Sequence, residues 1–167
     1  MPTAAERLAA TGLVLPAVAA PVAAYVPAVR TGLHVHTSGQ LPFVDGALPR
    51  TGKVGEGAGL VEPAVAADLA RTAALNALAA VAALVEQEGG PGGAAALDRV
   101  ARVVKVVGFV ASDPAFAGQP AVVNGASTLL HEVLGEAGVH ARSAVGVAVL
   151  PLDSPVEVEL VVELHPA

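Results

Sequence analysis

The chain has no cysteine, which removes together a disulfide framework, an iron–sulfur cluster, a thiolate zinc site and a cysteine nucleophile. A reducing, cytoplasmic setting is compatible with that. Tryptophan is absent too, and the aromatics are three Phe and one Tyr, so a core has to be filled with Ala, Val and Leu. Charged residues make up 14% of the chain against 54% hydrophobic, the reverse of the balance that keeps a chain disordered. Positive charge is scarcest: 9 Lys and Arg, scattered along the chain, stand against 15 Asp and Glu, for a net charge of −6. The clustered basic footprint of a nucleic-acid binder is missing. Missing as well are a Walker A sequence and a Gly-x-Gly-x-x-Gly between a strand and a helix. Ser127, Ser143 and His131 lack the Gly-x-Ser-x-Gly context of a serine hydrolase.

What is present suits one domain of 167 residues. Residues 3–11 predict a short helix, followed by a Pro-punctuated extended stretch to Val26, so residues 1–20 read as a helix and Pro/Ala-rich arm and 21–167 as a single domain. Residues 8–29 are uncharged, yet Pro16, Pro21 and Pro27 interrupt them and only a weak cationic segment precedes them, which argues against an export signal or a membrane span. The apolar run Ala64 to Val85 contains Asp68, Arg71 and Asn76, costly in lipid, and reads as a buried helix of a soluble protein.

Tyr25 to Gly39 predicts a hairpin about Arg30-Thr31-Gly32. Residues 43–60 predict an irregular Gly-rich loop carrying Arg50 and Lys53. Glu62-Pro63 opens a helix to about Glu88, with Leu75, Leu78, Ala82 and Val85 on one stripe, an Asp68–Arg71 pair elsewhere, and the glycines at 89–93 stopping it. Residues 99–111 predict a strand apolar on both faces, so its second face is expected to be covered by another copy of the chain. A second helix over 119–136 buries Val122, Leu129, Leu130 and Val133. Strands follow at 140–150, where Arg142 stands above Ala144, Gly146 and Ala148, and at 156–164, where alternation is nearly perfect. With 151–155 as a turn, these two are expected to pair antiparallel and to bring Arg142 and the acidic positions onto one surface. The class is α+β, with both long helices on one face of a mixed sheet.

Among candidate chemical groups, Arg142 above a strip of Ala and Gly has room to grip a small carboxylate bidentately, or else serves an intersubunit salt bridge. Glu157 is placed to orient a water or, with Glu159, to be a solvated strand charge. His34 and His36 share a strand face but lack a third spaced ligand, so no metal is expected. Ser38-Gly39-Gln40 is a backbone cradle or a plain turn.

The blocks Tyr25-Val26, Ser38-Gly39-Gln40-Leu41-Pro42, Leu75-Asn76-Ala77-Leu78, Val123-Asn124, Ala141-Arg142-Ser143, Leu150-Pro151 and Val156-Glu157-Val158 occur in an order that resembles the reactive intermediate deaminase family, also called the YjgF or endoribonuclease L-PSP type. The resemblance covers about residues 21–164. It implies a chorismate-mutase-like subunit, a homotrimer with clefts between subunits, and hydrolysis of 2-imino and 2-enamino acids to 2-keto acids and ammonia without cofactor or metal. It implies further that Arg142, helped by the Ala144 N–H, binds the substrate carboxylate, that Glu157 holds the attacking water, that Tyr25 closes the cleft, and that the Gly39 backbone meets the imine nitrogen. Asn124 matches a position often retained in the family, with no role attached. The sequence departs from the best-studied branch at His140, usually Pro, at Ala144, often Cys or Thr, and at Gly146, where loss of a larger residue is expected to widen the pocket. A noncatalytic trimer that binds a small carboxylate in the same cleft is the alternative reading.

Overall fold

The computed structural model describes residues 1–18 and 24–166. A short helix α1 (Ala4–Ala10) precedes a hairpin of β1 (Ala28–Thr31) and β2 (His34–Thr37); then follow helix α2 (Pro63–Gln87), strand β3 (Val100–Ala111), helix α3 (Gln119–Leu134), strand β4 (Ala141–Val147) and strand β5 (Val156–Leu164). Short 3-10 turns at Gly93–Arg99, Gly135–Gly138 and Pro151–Asp153 connect them. The part of the predicted arm at residues 19–23 lies outside the described residues.

Both long helices begin where the sequence predicts. Pro63 occupies the first turn of α2 and Pro120 that of α3, where no intrahelical N–H bond is lost. The two helices lie together on one face of the sheet. Their contact is close because it is made of small side chains: a Cβ added to Gly125 of α3 would stand 1.9 Å from the Ala67 carbonyl oxygen of α2. Side-by-side packing also redirects Arg71, which pairs with Glu132 of α3 at 2.6 Å rather than with Asp68. α2 is long and apolar enough to cross a membrane by length and composition alone, but Ala66, Ala70, Ala73, Ala77, Leu78 and Val81 are wholly enclosed by the fold.

Alternation fixes the sheet's two faces. In β5 the even residues Val156 to Leu164 are buried under the helices and Glu157, Glu159, Val161 and Glu163 face the other way. In β3, Val103, Val106 and Val110 join the core, whereas Val107 and Phe109 look out from the opposite face. That open face also carries Val29 and Val145, 52% and 44% exposed.

The strand order is β1-β2-β5-β3-β4, antiparallel throughout except for the parallel β3–β4 pair. The expected antiparallel β4–β5 hairpin is therefore not formed. Residues 148–155 are a crossover: Leu152 and Asp153 take left-handed backbone angles, and the Pro155 carbonyl already accepts from Ala111 N–H. The chain is thereby carried across the end of β3, and β5 enters the slot between β2 and β3, the interior position that suits the most regularly alternating segment. The expectation that Arg142 and the acidic positions share a surface falls with that hairpin. Arg142 pairs with Val106 and lies on the helix face, whereas Glu157 pairs with Phe109 on the open face.

The Gly-rich loop is pinned at its middle. Val54, fully buried, accepts from Asp113 N–H and donates to the Ala111 carbonyl, extending the end of β3. α1 is tied down by Asp98, whose carboxylate accepts from the Ala4 and Ala5 N–H groups, and by buried Leu8.

Candidate functional site

The six residues singled out in the sequence divide into two groups. Arg142, Ala144 and Asn124 meet where edge strand β4 lies against α3. The Arg142 Nη1 donates to Asn124 Oδ1 at 2.8 Å and to Ser127 Oγ at 3.0 Å, and its Nη2 donates to the Pro120 carbonyl at 3.2 Å. A guanidinium has five N–H donors, so the Nε–H and one Nη2–H have no acceptor among the described residues. Neither ion pair found among those residues involves Arg142. A cation held by neutral acceptors with one pair of donors free is prepared for an anion from outside the chain. Ala144, on the same face two residues along, packs against the core, and as part of an edge strand β4 leaves alternate backbone groups unpaired.

Ser127 and His140 complete this cluster, and sequence reasoning missed both as site residues. Ser127 Oγ lies 2.9 Å from His140 Nε2, and His140 Nδ1 lies 2.6 Å from the Gly138 carbonyl. Burial holds the His140 imidazole below its usual range, opposed by the Gly138 hydrogen bond and assisted by the Arg142 charge. A signal exists in the sequence, since Pro120, Asn124 and Ser127 recur at i, i+4 and i+7 on one face of α3. The space above Gly146 is not open as expected. Gln119 and Ser112 fill it, and a Cβ there would meet the Gln119 amide and the Ser112 hydroxyl, each at 2.8 Å.

Glu157 and Gly39 form the second group, on the open face. Gln40 is bonded both ways to Val158, which lays the Gly39 backbone directly on Glu157; a Cβ on Gly39 would be 1.7 Å from Glu157 Oε1. Asn76 of α2 fixes the following residues by donating to the Leu41 and Phe43 carbonyls. Burial pushes the Glu157 carboxyl above its usual range, and the Glu159 carboxylate adds to that. Tyr25, half-exposed, immediately precedes Val26, whose carbonyl accepts from Ser38 Oγ at 2.6 Å, so its segment is stapled beside Gly39.

One chain does not bring the two groups together, because β3 separates them and they point from opposite faces. Two surface cavities, of about 380 and 250 Å³, include none of the six residues. Among the described residues no three His, Asp or Glu side chains gather as metal ligands; His34 and His36 are exposed on the open face, across from Glu163 and Val161.

Comparison with known proteins agrees with this arrangement of elements. Residues 5–164 match the family described as YjgF/chorismate mutase-like, putative endoribonuclease. Protein TCP17 of Trypanosoma cruzi is 43% identical over 96% of this chain and 94% of its own length. A crystal structure from Shewanella oneidensis, described as a putative endoribonuclease, has a TM-score of 0.85 at 34% identity, covering 98% of this chain and all of that one. Escherichia coli TdcF, solved with bound serine, has a TM-score of 0.57 at 25% identity over 89% of this chain and 94% of its own. The chain belongs to the YjgF/chorismate-mutase-like family.

Proposed function

We propose that the protein is a homotrimeric, cofactor-independent hydrolase of 2-imino and 2-enamino acids, with each site built from Arg142 of one copy and Glu157 of its neighbour. The observation that carries this reading is the state of Arg142: three neutral acceptors fix the guanidinium and leave two donors free. A planar carboxylate bound by those donors, and by the Ala144 N–H of the unpaired edge, places the adjacent C=N carbon in the cleft. The Glu157 carboxylate of the neighbouring copy takes a proton from a water as it adds to that carbon, and returns it to nitrogen. The tetrahedral adduct then expels ammonia and leaves a C=O, so imino acid plus water gives 2-keto acid plus ammonia. An activated imine asks mainly for placement and a base of modest strength, and burial makes Glu157 more basic than an exposed carboxylate. The Gly39 backbone meets the imine nitrogen, and Tyr25 closes the cleft.

Glu157 and Gly39 lie on a face that exposes Val145 and Val29, and that apolar exposure supports a second copy covering it. The cytoplasm, where pyridoxal-phosphate enzymes release such imines, is the proposed setting. Serine bound to TdcF supports a small carboxylate ligand, and equally favours the second reading, a noncatalytic trimer that binds a 2-keto acid. RNA cleavage is disfavoured by the net charge of −6.

The test generates 2-iminobutyrate in situ with an amino-acid oxidase and traps the survivor with semicarbazide. The native protein is expected to deplete the signal and Arg142→Ala to leave it unchanged. Failure of the native protein across several imines, with 2-oxobutanoate binding retained, transfers the argument to the carboxylate-binding trimer.

A further inference from the structure

The Arg142–Ser127–His140 cluster has a direction. A carbonyl oxygen only accepts, so the 2.6 Å contact between His140 Nδ1 and the Gly138 carbonyl places a proton on Nδ1. In the neutral ring Nε2 is then an acceptor, and the Ser127 hydroxyl donates to it across 2.9 Å. With its proton so committed, Ser127 Oγ turns its lone pairs to Arg142 Nη1, which donates to it at 3.0 Å. Each group has one role, and each role is set by the next group along.

We propose that Ser127 and His140 are positioning residues for Arg142, a one-way relay that holds the guanidinium in its carboxylate-binding pose only while the imidazole is neutral. This rests on the reading of Arg142 as the carboxylate clamp and adds what controls it. A second proton on His140 makes both ring nitrogens donors. Ser127 then faces donors from two sides and its own proton loses its acceptor, while a new positive charge arises in the same cluster as Arg142.

The charges around His140 are few. Two residues on, in β4, is Arg142, which acts on it directly. From α3, Glu132 is taken by Arg71 of α2 and His131 is exposed. On the turn before it Glu136 is exposed, and Arg7 of α1 packs over Gly135. From β3, Lys105 donates to Ser143 on the opposite face. No carboxylate among the described residues bonds to the ring; the Gly138 carbonyl favours the charged form, and burial together with the Arg142 charge outweighs it. Burial lowers its proton affinity below the ordinary imidazole range, which leaves the relay intact at neutral pH and opens it only in more acid solution than an exposed histidine would need.

The test uses the whole protein, with 2-oxobutanoate as a probe that stays ionised over pH 5–8, and calorimetric titration at each pH. Native protein is expected to bind it with constant affinity at pH 7–8 and about tenfold more weakly at the acid end. His140→Gln, whose amide oxygen accepts from Ser127 without titrating, is expected to bind at pH 7 like the native protein and to lose the acid dependence. Ser127→Ala and His140→Phe are expected to raise KM for 2-iminobutyrate about tenfold with kcat nearly unchanged. Ring ¹⁵N shifts in the native protein are expected to show the Nδ1–H tautomer. Identical acid limbs in native and His140→Gln, or the Nε2–H tautomer, would overturn the relay. If Arg142→Ala binds the probe as well as the native protein, the carboxylate reading itself fails; if only Arg142→Ala weakens binding, that reading stands and the relay is wrong.

Discussion

The two halves of the candidate site are prepared to different degrees. At the junction of β4 and α3, Arg142 makes three hydrogen bonds to its own chain and its orientation is settled before anything binds. On the open face, Glu157 makes no side-chain hydrogen bond among the described residues, lies against the bare backbone of Gly39, and is half-buried at an energetic disadvantage to its charge. The contrast separates binding from chemistry. A clamp gains from being rigid, because the order it imposes on a ligand is already present in the free protein, whereas a base gains from being unsatisfied, because an unbonded carboxylate holds a water and keeps its basicity.

The largest effects come from breaking the halves separately and then combining the damage. Arg142→Ala and Glu157→Gln are each expected to lower kcat/KM by at least about a hundredfold. If a site takes its arginine from one copy and its carboxylate from the next, mixed trimers assembled from equal amounts of the two variants regain intact sites. Random mixing restores about a quarter of them. Refolding the two inactive variants together and measuring imine depletion reads this directly. Continued inactivity of the mixture, with mixed trimers demonstrated by differential tagging, would place both groups in one chain and contradict the geometry.

A second break is aimed at the face proposed to join the halves. Val145 is on the open face, level with Phe109 and Glu157 across the ladder. Val145→Glu is expected to leave the single chain folded, since an exposed position away from caps and core changes stability by within about 0.5 kcal/mol. Light scattering should then report a 16.4 kDa particle with native circular dichroism and no activity.

Much of this comparison is legible in the sequence, though unevenly. β5 occupies the predicted residues 156–164, because strict alternation over nine positions admits one pleat and one choice of buried face. α2 starts at the predicted Pro63, and the hairpin turns where Arg30-Thr31-Gly32 suggests. Strand order is hidden, because adjacent strands joined by a short segment usually pair and nothing in Leu152-Asp153 announces two left-handed residues in succession. That one crossover decides where β5 and Glu157 lie relative to Arg142. Residue type leaves Arg142 open between a carboxylate clamp and an intersubunit salt bridge, and only its parallel register with Val106 shows that it faces α3, where Asn124 finds its structural place and Ser127 and His140 join.

The α2–α3 contact at Gly125 lies on the helix that positions the rigid half, which gives a smaller test. Gly125→Ala forces a methyl group toward the Ala67 carbonyl, 1.9 Å from the ideal Cβ, on the helix that also carries Asn124 and Ser127. The expected cost is about 2 kcal/mol, a fall in Tm of roughly 4–8 °C. Thermal denaturation should show the fall, and affinity for 2-oxobutanoate should weaken before the affinity-independent features of the open face change.

The smallest effect concerns the charge on Glu157 and has a definite sign. Its carboxyl binds a proton more tightly in the folded chain than in the unfolded one, because burial and then Glu159 disfavour the anion. The contribution of Glu157 to stability is therefore fully present below the ordinary carboxylate range, and is lost as pH rises through the raised value. Glu157→Gln removes that cost and forfeits no side-chain hydrogen bond made within the described residues. In the Val145→Glu background, where the added carboxylate acts in the same direction as Glu159, the substitution is expected to raise Tm at pH 7, with the difference vanishing near pH 4. If the proposed assembly brings a neighbour's Arg142 to the same carboxylate, its charge opposes burial, so the gain should shrink or reverse. A scan of both backgrounds at the two pH values compares those signs: equal gains in monomer and assembly would mean that no cation reaches Glu157 across the interface, and the two halves would not form one site.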